Sequence, residues 1–147
     1  MQIDRYVSHS PADTERFARQ LAQTLSAGDV VALCGGLGMG KTAFVRGLAQ
    51  GLEVTGEVSS PTFALVHEHP GRLDLYHFDM YRVEGWDDLE TTGYFDYLTK
   101  KGVLAIEWSE NIEGALPVGF IRVTIELGET ESQRIITVEI GESSCVS

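Results

Sequence analysis

Residues 35–42 read Gly35-Gly36-Leu37-Gly38-Met39-Gly40-Lys41-Thr42. This is the pattern G-x-x-x-x-G-K-[ST], the phosphate-binding P-loop, and each fixed position has a physical reason. Gly35 and Gly40 allow backbone angles and close approaches that a Cβ would block. The peptide N–H groups of such a loop converge on one point, and the dipole of the following helix adds to them. The pattern places Gly36, Leu37, Gly38, Met39, Gly40, Lys41, Thr42 and Ala43 around the phosphates. Lys41 supplies a point charge, and the Thr42 hydroxyl is a ligand for Mg²⁺. The flanks agree. Residues 29–34, Asp-Val-Val-Ala-Leu-Cys, form a short apolar run of strand type. Over residues 43–52, Phe44, Val45, Leu48 and Leu52 share one helical face. Strand, glycine-rich loop and helix follow in the order the pattern requires.

Working outward, the chain of 147 residues reads as a single domain over residues 1–141 with a flexible tail at 142–147. A chain of this size buries a core without disulfides or a structural metal. Its two cysteines, Cys34 and Cys145, do not form a metal-ligand cluster, which favours a reducing compartment. No apolar run has the length of a membrane span, and the N-terminus lacks the pattern of a signal peptide. A cytoplasmic protein with no membrane partner is the expectation. The net charge is −11, from 11 Lys and Arg against 22 Asp and Glu. Gripping nucleic acid alone requires a basic stripe, and none is visible. If RNA is involved, another subunit holds it.

The remaining elements follow from periodicity and punctuation. Residues 2–8 read as an edge strand. Ser10 is an N-cap, Pro11 occupies the first helical position and Asp13 lies at the positive end of the dipole. That helix is expected to reach Leu25, burying Phe17, Ala18, Leu21, Ala22 and Leu25. Residues 63–67 and 73–78 read as a hairpin around Pro70-Gly71, and residues 86–91 as a short acidic helix. Residues 94–99 are ambiguous, with a helix as one option. Residues 103–106 form a fully apolar strand. Residues 121–127 and 136–140 alternate as a second hairpin. The sum is an α/β fold: a three-layer P-loop nucleoside triphosphate hydrolase-like domain. Its mixed sheet has parallel core strands and antiparallel edge hairpins.

A nucleotide site also needs an acid for Mg²⁺ and a group that positions water. Glu107 ends the apolar strand, as a Walker-B carboxylate does. If that strand runs parallel to the P-loop strand, Glu107 opens on the same crevice as Thr42. Asp79 ends the strand before it and is the second candidate. We assign Glu107 to the metal and Asp79 to water positioning or support of the metal. Ser60-Pro61-Thr62 is a candidate sensor loop, with Thr62 as its hydroxyl. The nearest string to a guanine-reading loop, Thr99-Lys100-Lys101-Gly102, lacks the required Asp. ATP is therefore favoured over GTP.

Taken together, these pieces resemble the bacterial TsaE (YjeE) family. They are the P-loop, Ser60-Pro61-Thr62-Phe63, His77-Phe78-Asp79-Met80-Tyr81-Arg82, Asp87-Asp88-Leu89-Glu90 followed by Gly93, and Ile106-Glu107-Trp108. The resemblance implies a Mg²⁺-dependent ATPase, slow alone and stimulated by partners. It would bind ATP and ADP and act with TsaD and TsaB in N6-threonylcarbamoylation of adenosine 37 in tRNA. tRNA is met only through the complex. By the same resemblance Lys41 holds phosphate, Thr42 and Glu107 serve Mg²⁺, Asp79 assists the metal or the water, and Thr62 acts in a switch loop. It also places Ser10, Pro11 and Arg134 at the adenine. Two positions depart from many members: Gly36 where an acid is common, and Ala43 where a second Thr is common. Neither removes a group that the phosphate cradle requires. A small-molecule kinase would need several cationic groups for its acceptor, and this sequence offers few. A nucleotide-gated binding module without turnover needs the same phosphate site and is left open.

Overall fold

The apolar run before the glycine-rich loop becomes the centre of the sheet. In a computed structural model that describes residues 3–35, 40–55 and 66–141, β2 (Val30–Cys34) is buried at every position. Both of its neighbours run parallel to it: β5 (Gly102–Glu107) on one side and β6 (Phe120–Leu127) on the other. Strands buried on both faces need no polar alternation, which is why β2 and β5 read as unbroken apolar runs. β4 (Asp74–Asp79) lies parallel to β5, and β3 (Val66–His69) pairs antiparallel with β4. At the other end β7 (Arg134–Gly141) pairs antiparallel with β6, and β1 (Ile3–Ser8) with β7. The order is β1-β7-β6-β2-β5-β4-β3. The expected mixed sheet, with parallel core strands and antiparallel hairpins at both edges, is what forms.

The two faces are covered differently. On the first face lie α1 (Pro11–Ala22) and α2 (Lys41–Gly51), over Val31, Leu33, Val103, Ala105 and Val123. The helices approach closely because small residues face each other. A Cβ at Gly47 would run into the Glu15 carbonyl and the Ala18 methyl, and one at Gly51 into Ala22 and the Arg19 carbonyl. Ser10 caps α1 as its sequence indicates: its Oγ accepts from the Asp13 N–H at 3.1 Å, and Asp13 accepts in return from the His9 N–H at 3.0 Å. The helix stops three residues short of Leu25, which is buried all the same, in the turns that follow.

The second face carries short elements: α3 (Trp86–Thr91), α4 (Tyr94–Tyr97) and a 3₁₀ segment (Ser109–Ala115) kinked at Ile112. Aromatic rings hold them to the sheet. Phe78 meets Tyr94 and Tyr97 edge-on at 6.0 and 5.2 Å. The fully buried Tyr94 donates its hydroxyl to the Ala115 carbonyl at 2.9 Å, and burial raises its phenol well above the usual tyrosine range. Of the aromatics on these elements, Tyr94 is core, Trp86 is exposed, and Phe95 and Tyr97 are half-buried.

Candidate active site

Parallel strands deliver their carboxyl ends to one edge of a sheet, and this sheet does so four times over. β2 ends at Cys34, β5 at Glu107 and β4 at Asp79. Asp79 and Glu107 are direct partners in the β4–β5 ladder. β6 also ends here, and at Gly35 (φ 139°) an added Cβ would lie 2.6 Å from the Ile125 carbonyl oxygen. A glycine is therefore required where the chain leaves the sheet. Gly40, at φ 95°, is the N-cap of α2 and holds a left-handed conformation that suits glycine. Residues 36–39 and the candidate sensor residues Ser60, Pro61 and Thr62 lie outside the described residues.

Lys41 opens α2 with only 5% of its surface exposed. Its ammonium donates to the Gly35 carbonyl at 3.0 Å and sits 4.4 Å from the centre of the Trp108 ring. None of the ion pairs among the described residues includes it. A nearly buried cation held by a carbonyl and a ring face, at a helix N-terminus, is poised for an anion. Thr42, half-buried, follows in the same turn. Trp108 reaches Lys41 because it adopts a left-handed backbone (φ 59°) directly after β5. Such a conformation in a bulky residue is strained and persists only where its surroundings enforce it. The surroundings here are the Tyr81 ring, 4.8 Å from the Trp108 ring, and Ser109, whose hydroxyl donates to the Leu33 carbonyl at 3.0 Å. That last bond ties the turn after β5 to the strand entering the P-loop.

The two acids differ in setting. Glu107 is 7% exposed, and its Oε2 lies 2.5 Å from Nε2 of the fully buried His77. Asp79 is half-buried, and its Oδ1 accepts from the Tyr81 N–H at 2.9 Å. His67 and His69 lie on β3 across the ladder from His77 and Leu75. Burial, then His77 and His67, hold His69 below the usual imidazole range. No group of three or more metal-ligating side chains stands together among the described residues. Ser10 and Arg134 lie at the same sheet edge as the P-loop, since Ser8 pairs with Arg134 and Arg134 with Leu127 at the end of β6. Pro11 follows Ser10, exposed. A cleft of about 360 Å³ beside Phe17, Leu21, Ile121 and Ile140 opens toward the other edge and plays no part here.

Trp108, Tyr81, Ser109 and His77 are the site residues that sequence reasoning missed. Trp108, His77 and Tyr81 stand inside strings already singled out, but nothing local in those strings says which group each one touches.

The sequence matches the family model "Threonylcarbamoyl adenosine biosynthesis protein TsaE" over residues 8–136. The chain belongs to this family. Among TsaE relatives, the "tRNA threonylcarbamoyladenosine biosynthesis protein TsaE" of Treponema pallidum is 40% identical over 134 residues, covering 91% of this chain and 98% of its own. The Bacillus subtilis protein of that name is 38% identical over 133 residues, covering 90% of this chain and 83% of its own. The crystal structure of Bacillus subtilis YdiB superposes with a TM-score of 0.76 at 32% identity, over 95% of this chain and 87% of that one. TsaE is thus a family of tRNA threonylcarbamoyladenosine biosynthesis, and its fold is the one described above. No described helix is long and apolar enough to cross a membrane.

Proposed function

We propose that this TsaE-family protein is a Mg²⁺-dependent ATPase subunit that supports N6-threonylcarbamoylation of adenosine 37 in tRNA, acting in the cytoplasm with TsaD and TsaB. The observation that carries the nucleotide reading is Lys41: a nearly buried ammonium at a helix N-terminus, held by a carbonyl and a ring face. A triphosphate fits that setting, because its γ- and β-oxygens would supply the missing negative charge at the positive end of α2. The donor set near it also fits a hard cation, with a hydroxyl at Thr42 and carboxylates at Glu107 and Asp79. In this reading residues 36–43 cradle the phosphates and Lys41 holds them. Thr42 and Glu107 hold Mg²⁺, which when bound neutralises charge developing on the phosphates. Asp79 positions the water, Thr62 senses the γ-phosphate, and Ser10, Pro11 and Arg134 flank the adenine. Support for the partners comes from the family and from the acidic charge balance, since a protein at −11 is ill suited to grip tRNA alone.

The test is calorimetric titration with ATP and ADP, with GDP as competitor, followed by turnover with and without TsaD–TsaB and tRNA. Lys41→Ala removes a charge-assisted contact worth about 1.5–3 kcal/mol, so nucleotide affinity is expected to fall roughly ten- to a hundredfold. Equal affinity in the wild type and the variant sinks the nucleotide reading. Turnover that partners leave unchanged, with no effect of ATP on tRNA modification, sinks the partner reading.

A further inference from the structure

We propose that His77 is the positioning residue for Glu107: the buried imidazole fixes one carboxylate oxygen so that the other is presented to the magnesium–nucleotide site. The inference rests on the reading of that site given above. His77 is an unusual occupant of its place. It sits in β4 between Tyr76 and Phe78, with none of its surface exposed. A polar ring there costs free energy unless it is hydrogen-bonded, and a leucine or phenylalanine would pack without that cost. Its cross-strand partner is Ala105, whose small side chain leaves the ring free to lean along the strand toward Glu107, two residues further on the same face. The only contact that repays the ring's polarity among the described residues is Nε2 to Glu107 Oε2, at 2.5 Å. Nδ1 has no hydrogen-bond partner among them. An ionised carboxylate, the form a metal ligand takes, only accepts, so the proposed role requires Nε2 to be the donor.

The direction of the bond gives the role. Glu107 closes β5, with Trp108 and its Lys41 contact immediately after it. A carboxylate at a strand end has free χ rotation unless something anchors it. One oxygen tied down by a rigid, fully buried donor leaves the second oxygen in a fixed direction. Outer partners of this kind typically change metal affinity ten- to a hundredfold when removed.

The experiment compares the wild type, His77→Leu and His77→Gln, each checked for folding by circular dichroism. Nucleotide affinity is measured in EDTA and across a magnesium titration. His77→Leu is expected to raise the magnesium midpoint about tenfold or more while leaving the EDTA affinity unchanged. His77→Gln restores a donor at the Nε2 position and is expected to return the midpoint to within about twofold of wild type, because the outer-shell contact is restored. A folded His77→Leu with the wild-type midpoint overturns the proposal, as does a His77→Gln midpoint no better than that of His77→Leu. Should His77→Leu not fold, His77→Gln and nitrogen-15 spectra of the wild-type histidines decide. A proton on Nε2 of His77 is expected; a bare Nε2 overturns the proposal. Wild-type nucleotide binding that ignores magnesium defeats instead the reading on which the inference rests.

Discussion

The ends of β4 and β5 are neighbours in one ladder, yet they present two carboxylates in opposite ways. Glu107 is nearly buried and anchored by a side chain from the middle of the adjacent strand. Asp79, its direct partner in register, is half-buried and, among the described residues, anchored by the N–H of Tyr81, two residues further along its own chain. The difference follows from what each strand does next. After β5 the chain turns sharply through the left-handed Trp108 and is held to β2 by Ser109, so Glu107 cannot swing out. After β4 the chain runs into an exposed turn at Tyr81 and Arg82, so Asp79 keeps contact with water. A deeply anchored acid suits a fixed metal ligand. A partly solvated one suits handling water. Adjacent positions in a sheet are thus not equivalent positions in a site.

The comparison breaks most visibly at Glu107. Glu107→Ala is expected to abolish most of the magnesium dependence of nucleotide binding, a loss of about a hundredfold or more in metal affinity, and turnover with it. It also leaves the buried His77 donor unsatisfied, which costs about 1–3 kcal/mol of stability. Magnesium titration and chemical denaturation of the same variant read both effects. An unchanged magnesium midpoint would move the metal to Asp79 and reverse the assignment.

Asp79→Asn is the matching change on the other strand end, with a smaller effect expected. Asn keeps an oxygen for the Tyr81 N–H but removes the charge. The expected outcome is a fall in kcat of about tenfold, with ATP affinity and the magnesium midpoint within about twofold of wild type. Single-turnover hydrolysis alongside calorimetry separates the two terms. A shifted midpoint with intact chemistry would show that the charge at Asp79 serves the metal after all.

Much of this architecture is legible in the sequence because it rests on local rules. The P-loop string carries its own backbone demands, met in the positive φ of Gly35 and Gly40. Unbroken apolar runs mark β2 and β5, and alternation marks β6 and β7, since burial on two faces or one leaves those patterns. Where the reading slipped, a physical cause is visible. Leu25 keeps helical spacing and is buried, but periodicity records burial rather than backbone hydrogen bonds. Thr24 and Leu25 already bond to the third residue back, Leu21 and Ala22. β3, at Val66–His69, runs two residues past the expected end at His67, because an edge strand is held by its backbone ladder and shows weak side-chain alternation; residues 63–65 lie outside the described residues. The 3₁₀ segment has no periodicity to find. Contacts set by strand order are the least legible part of the site. His77 and Glu107 stand 30 residues apart and meet only because β4 and β5 are adjacent and parallel. Lys41 and Trp108 meet only because β2 and β5 are.

The smallest expected effect tests where one strand end stops and the other begins. Asn111, in the 3₁₀ segment after Trp108, donates from Nδ2 to the Met80 carbonyl at 2.8 Å and the Tyr81 carbonyl at 3.2 Å. Met80 in turn donates its N–H to the Glu107 carbonyl at 3.0 Å. The chain after β5 therefore reaches back to brace the chain after β4. Asn111 is exposed, so water replaces part of what Asn111→Ala removes, and the stability loss is expected to be about 1 kcal/mol. If the brace serves Asp79, by steadying the turn that contains Tyr81, kcat should fall about twofold while the magnesium midpoint stays put. That pattern is a faint copy of Asp79→Asn. A shifted midpoint with unchanged kcat would instead copy Glu107→Ala. The turn would then belong to the metal side of the site, and the boundary between the two carboxylates would lie beyond Tyr81 rather than between the two strands.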